Sequence, residues 1–145
     1  MNTAPDALER FVRAQDNDYA QALEELLAGR KRTHWIWYVL PQLRELGRSQ
    51  MAREYGIAGR EEAMKYVTHT TLGPRLLECV NAILSHADKS AVEILGTVDA
   101  LKFRSCLTLF AEVAPTEPAF AQALAVFYQG KPDMETLRLL APPAA

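Results

Sequence analysis

Apolar residues recur along this chain with the period of amphipathic helices, and Gly, Pro, Ser and Thr cut the pattern into short pieces. A chain punctuated in this way buries its apolar stripes only by packing short helices on one another. Leu8, Phe11, Val12 and Gln15 follow the i, i+3, i+4, i+7 rule behind a start at Thr3, Pro5 and Asp6. Asp16 and Asn17 predict a break and a new cap. Tyr19, Leu23, Leu26 and Leu27 then form a second stripe, which Gly29 stops in a left-handed conformation.

Residues 33–40 carry the Trp-Ile-Trp-Tyr-Val run, whose composition suits a strand. A lone strand would leave its backbone groups unpaired, so a buried helix capped by Thr33 and stopped near Pro41 is the expectation. Ser49 caps residues 50–55, and Gly56 ends them. Further helices are predicted over 61–68, over 73–85 with Pro74 in the first turn, and from Ser90 to Gly96. A long one over 99–113 carries Leu101, Leu107, Leu109 and Phe110 on its inner face. Thr116, Glu117 and Pro118 open another that Gly130 closes, and residues 132–140 form the last. With no βαβ alternation and no repeat, the expected fold is all-α, a compact single-domain bundle of about seven or eight short helices. Its core spans roughly 6–140, ahead of a short Pro/Ala tail at 141–145.

At 145 residues, with 49% hydrophobic and 23% charged residues, the chain can bury one continuous core without staples. Its two cysteines, Cys79 and Cys106, sit in no CxxC or Cys/His cluster, which predicts no disulfide framework and a cytoplasmic setting. No basic start precedes an apolar run at the N-terminus, so no secretory signal is expected. The longest apolar run, 35–40, is too short for a membrane span. A net charge of −2 and a pI near 5.9 give no general drive toward nucleic acid. His34, His69 and His86 are widely spaced, so no metal is expected, and no cofactor motif occurs. His69 is expected to cap or hydrogen-bond near the start of the 73–85 helix.

The densest chemical signal is the run from Gly29 to Tyr38. If Thr33 caps a helix, the free N–H groups of its first turn face a basic loop and attract anions, with Arg30, Lys31, Arg32 and His34 as further donors. Trp35, Trp37 and Tyr38 offer rings to stack on a planar group. Together these suit a phosphorylated or nucleotide-like small molecule, with Gln42 and Lys102 as second-tier contacts and His34 as the acid/base if there is catalysis. Clusters of this kind are more often a solvated turn with core aromatics. Trp35 and Tyr38 share a helical face while Trp37 points elsewhere, so the three rings do not line one pocket. Asp99, Lys102 and Ser105 form a second polar stripe, read most simply as an Asp99–Lys102 ion pair at a helix start. Glu24 and Glu25 read as solvated charge. The rival functional class is a protein-interaction module or homodimer that uses the Trp/Tyr surface.

The residues also carry a family resemblance. The strings are Phe11-Val12-x-Ala14-Gln15, Gly29-Arg30-Lys31 through His34-Trp35-x-Trp37, Pro41-Gln42-Leu43 and Leu46-Gly47-x-Ser49-x-Met51-Ala52. They continue as Tyr55-Gly56-Ile57, Leu72-Gly73-Pro74-Arg75-Leu76, Ile94-Leu95-Gly96, Asp99-x-x-Lys102 and Thr108-Leu109-Phe110. The chain thereby resembles, from about residue 11 to 140, the bacterial family called domain of unknown function 1810. The resemblance implies a small helical domain and supplies no reaction. The calpastatin-like label sometimes attached to such proteins does not fit, because those inhibitors are disordered, proline-rich chains. One departure is His69-Thr70-Thr71, where the family pattern resembles His-Pro.

Overall fold

A computed structural model describes residues 7–141, and the helix start expected at Thr3 to Asp6 and the tail from 142 lie outside them. Among the described residues the chain forms nine α-helices: α1 (Glu9–Leu27), α2 (Ile36–Val39), α3 (Gln50–Glu54), α4 (Arg60–Thr68), α5 (Leu72–Leu84), α6 (Ala91–Leu95), α7 (Thr97–Val113), α8 (Pro118–Tyr128) and α9 (Met134–Leu140). A 3₁₀ turn at Arg44–Leu46 joins α2 to α3. The all-α bundle is as expected.

Helix α7 is the spine, packed by α4, α6, α8 and α9, while α1 lies on α5 and α2. Phe103, Cys106, Leu107, Leu109 and Phe110 of α7 are all fully buried, so its apolar residues wrap most of its circumference. Tyr66 connects two aromatic layers, edge-on to Phe11 at 5.1 Å and tilted against Phe110 at 5.4 Å. Burial also pushes the Cys79 thiol up to about 12, which makes it a small core hydrophobe without thiolate chemistry.

Several predicted boundaries hold for the predicted reasons. The Ser49 hydroxyl accepts from the Ala52 N–H at 3.1 Å, and Ser90 forms a full capping box with Glu93. His69 caps α5 through Nδ1, which accepts from the Thr71 and Leu72 N–H groups at 3.1 and 3.2 Å. Gly29 has φ +81°, and its carbonyl and that of Leu27 accept from Lys89 and His86.

Three expectations fail. The break at Asp16-Asn17 is absent, and α1 runs straight through it. Asp16 instead faces Arg75 at 3.4 Å and Asp18 accepts from the Tyr38 hydroxyl, so both act as outward anchors. Leu27 and Leu101, placed in the core by periodicity, are 58% and 63% exposed. The helix expected at 33–40 shrinks to the single turn α2, starting after Trp35, with no side-chain cap.

The segment after α2 reverses through a tight crossing that shapes one face of the molecule. Leu43 and Ile57 form an isolated parallel bridge, with Ile57 N–H donating to Gln42 at 2.9 Å and Arg44 N–H to Ile57 at 2.8 Å. Only glycine fits at 56, because a Cβ there would lie 2.3 Å from the Arg44 Cα. This crossing sets Gln42, Arg48 and Ser49 opposite α7.

Candidate functional site

The basic turn expected to attract an anion already holds one, from the protein itself. Glu25 follows Ala22 by three residues on the inner face of α1 and is fully buried. Its Oε1 accepts from the N–H groups of Arg32 and Thr33 at 2.7 and 3.0 Å and from the Trp35 indole at 3.0 Å. Its Oε2 accepts from the Thr33 hydroxyl at 2.6 Å and from Gln21 at 2.9 Å. Burial opposes the charged form, but these donors, led by the Thr33 hydroxyl, outweigh it and hold the carboxyl well below the usual carboxylate range. Thr33 therefore serves Glu25 and does not cap α2, and the reading of Glu25 as solvated charge is corrected. The helical phase shared with Ala22 and Leu26 is the signal that finds it in the sequence.

The shielded cation of the turn is committed as well. Lys31 donates to Thr33 O at 2.6 Å and pairs with Asp99 at 2.8 Å, its side chain 7% exposed. Its ammonium also lies 5.0 Å from the centre of the Trp35 ring. Trp35 and Tyr38 are buried, so neither contributes to an exposed Trp/Tyr surface. Arg30, Arg32 and His34 are exposed and line none of the concavities around Lys102 and Arg10.

Because Asp99 turns to Lys31, the Asp99–Lys102 pair expected from spacing does not form. Lys102 instead sits half-buried with its ammonium 5.7 Å from the Trp37 ring centre. It has no carboxylate partner among the described residues. Trp37, Gln42 and Lys102 thus come together, three of the seven binding residues expected from sequence. With Ile36, Leu40, Ala52 and Tyr55 they close a void of about 10 Å³, room for a water at most.

Gln42 and Lys102 also face outward into a cleft of about 530 Å³ between the 42–52 segment and α7. Its polar lining is completed by Arg48, Ser49, Ser105 and Asp133. Three of these are occupied. Ser49 caps α3, the Ser105 hydroxyl donates to Leu101 O at 3.3 Å, and Asp133 caps α9 by accepting from Thr136 N–H at 2.9 Å. Arg48, like Lys102, has no carboxylate partner among the described residues. Sequence reasoning passes over Arg48, an ordinary loop arginine brought here by the Leu43–Ile57 crossing. Leu46, Val98 and Leu101 supply an apolar wall, with Val98 64% exposed.

A larger cleft of about 640 Å³ lies beside Arg10, Arg13 and Arg44, but its charges are mostly matched. Arg10 pairs with Glu62 at 3.1 Å and donates to Gly56 O at 2.7 Å, and Arg13 lies 3.8 Å from Glu9. Among the described residues no cluster of three or more His, Cys, Asp or Glu could hold a metal ion. None of their helices is long and apolar enough to cross a membrane.

No curated protein matches the chain. Among solved structures it is similar to the conserved hypothetical protein Rv1873 from Mycobacterium tuberculosis, with 46% identity and a TM-score of 0.93. The likeness covers 97% of this chain and 100% of that one. The model of the family described as Protein of unknown function (DUF1810) matches residues 5–140, nearly the whole length, and the chain belongs to that family.

Proposed function

We propose that this protein binds a phosphorylated small molecule in the cleft between the 42–52 segment and α7, with Lys102 and Arg48 as the anion-holding pair. The observation that carries the reading is Lys102. A half-buried ammonium without a polar partner is costly to desolvate, and the fold gives its other half-buried lysines one: Lys31 has Asp99 and the Thr33 carbonyl, and Lys89 has the Gly29 carbonyl. Arg48 adds a planar fork suited to phosphate oxygens, and the Gln42 amide has no hydrogen-bond partner of its own among the described residues. The cleft volume falls in the range of small-molecule sites, roughly 300–1,000 Å³.

This reading keeps the ligand class expected from sequence and moves its site. Lys31 drops out because Asp99 pairs with it, Trp35 because it is buried with its indole on Glu25, and Arg30 and His34 because they are exposed and line no part of the cleft. Gln42 and Lys102 stay as lining of the cleft, and Trp37 stands behind Lys102 with its ring against the ammonium. The test is a thermal-shift screen of nucleotides, sugar phosphates and free phosphate, followed by titration of the hits against the K102Q/R48Q double variant. A ligand at a hundred times its dissociation constant adds about 2.7 kcal/mol and moves the midpoint by several degrees. Loss of at least tenfold in affinity in the double variant is expected; unchanged affinity would remove the assignment.

A second reading, an interface between two copies, is favoured by the exposure of Val98 and Leu101 at 64% and 63%. It replaces the Trp/Tyr surface expected from sequence, whose rings are largely buried. Light scattering decides it: a dimer that dissociates in V98S/L101S supports it, and a monomer across working concentrations ends it.

A further inference from the structure

We infer that the ligand of the Lys102 cleft carries a nonpolar, preferably aromatic, body attached to its phosphate, and that Val98 and Leu101 of α7 are the residues that select it. The inference rests on the reading of Lys102 and Arg48 as the anion-holding pair.

Val98 and Leu101 lie three residues apart on α7 and therefore share a face, and Lys102 follows directly on the same helix. All three line one cleft, so the unmatched charge and the uncovered apolar wall are parts of a single concavity. The wall is unusual in its own helix. Elsewhere α7 buries its large apolar side chains completely, from Phe103 to Phe110, whereas Val98 and Leu101 remain about two-thirds exposed, at 64% and 63%. Periodicity assigns Leu101 to the core, and the fold leaves it outside, facing the cleft.

Size adds a further argument. At about 30 Å³ for each water, the cleft of about 530 Å³ has room for well over ten waters. Inorganic phosphate, with five heavy atoms, would fill a small part of it and leave Val98 and Leu101 wet. A sugar phosphate would fill more but offer the wall mainly hydroxyls, which lose hydrogen bonds to water against apolar carbon. An aromatic or heteroaromatic body covers the wall without that loss. Trp37 stands on the far side of Lys102, with its ring over the ammonium, and reports on events at the anion end.

The experiment titrates the full chain with inorganic phosphate, ribose 5-phosphate, phenyl phosphate and adenosine 5′-monophosphate, reading heat and tryptophan fluorescence. At least one of the two aromatic phosphates is expected to bind about tenfold or more tighter than ribose 5-phosphate, the effect of covering a modest apolar area. V98S/L101S is expected to close that gap to within about twofold and leave ribose 5-phosphate affinity unchanged; both side chains are exposed, so the fold tolerates the change. K102Q instead lowers affinity for every phosphate that binds. Equal affinity for ribose 5-phosphate and both aromatic phosphates overturns this inference while sparing the anion site. Failure of all four probes to bind overturns both. A gap that survives V98S/L101S, together with a dimer that the same variant dissociates, assigns the wall to a second copy of the chain and overturns the inference in favour of that interface.

Discussion

Two lysines of this protein each lie over a tryptophan, and they are wired in opposite ways. Lys31 rests on Trp35, reaches Asp99 at 2.8 Å and is almost wholly shielded, while the Trp35 indole donates to a buried Glu25. Lys102 rests on Trp37, has no carboxylate among the described residues and faces a cleft shared with Arg48. The Lys31 region is richer in charge and aromatic rings as a sequence, yet its buried groups are already matched, and Arg30, Arg32 and His34 stand exposed outside the cleft at Lys102. The Lys102 region is the weaker signal in the sequence and is left with charge to spare. Density of functional residue types therefore does not by itself locate a site; what locates it is the balance left after the fold has matched its own groups.

The comparison breaks most sharply at Glu25. Glu25→Ala removes the acceptor for a buried indole N–H and for two backbone N–H groups and a hydroxyl that are part-buried. An orphaned buried donor costs about 1–3 kcal/mol and each part-buried one less, so a total loss of about 3–5 kcal/mol is expected in urea unfolding. A loss under about 1 kcal/mol would mean that water enters freely and that the turn is not self-contained.

The same carboxylate leaves a pH signature. Its pKa is depressed in the folded protein, so it contributes stability that is fully present above the unfolded value of about 4.3. That contribution drains away as the pH falls from there toward the lower folded value. Other carboxylates titrate over the same range in any variant, so the observable is a difference. Between about pH 4.5 and 2 the native protein should lose stability more steeply than Glu25→Gln, which carries no proton-linked group at this position. Parallel slopes would show that the donors around Glu25 do not favour its charged form.

How much of this is legible in the sequence follows the range of the interactions. Caps and stops act within a few residues, and Ser49, Ser90, Gly29 and His69 do what their local sequence implies. The break expected at Asp16-Asn17 fails because a weak local preference, below about 1 kcal/mol per residue, competes with burial of Phe11, Gln15, Ala22 and Leu26 along one continuous face. Gln15 itself is held by the buried Tyr38 carbonyl and Tyr66 hydroxyl, partners far away in sequence. The candidate site is half legible for the same reason. Residue type points to Trp37, Gln42 and Lys102, yet the meeting of Arg48 with Lys102 depends on the Leu43–Ile57 crossing. The Asp99–Lys102 pair is the natural local choice and loses to Lys31, which arrives from another element.

That lost pair gives an intermediate test. Lys31→Ala strips Asp99 of its partner and should cost about 2–3 kcal/mol, less than Glu25→Ala because Asp99 keeps access to water. Asp99 is then one helical turn from Lys102 and free to pair with it. The variant should accordingly weaken phosphate binding at a site that Lys31 does not touch. Weakened stability with unchanged binding would show that Lys102 is not held available by the Lys31–Asp99 contact.

The smallest stability effect belongs to Lys102, and it carries the comparison's meaning. Lys102→Gln gives up a cation–π contact worth about 0.5–1 kcal/mol at a part-exposed position, and no ion pair is broken. It also removes a half-buried charge that no carboxylate among the described residues pairs, so the two changes offset and the net effect should stay within about 1 kcal/mol. The urea midpoints of K102Q and K31A, measured side by side, separate a residue that holds the fold from one the fold holds ready. If K102Q proves as damaging as K31A, Lys102 has a structural partner, and the unmatched charge that motivates the site does not exist.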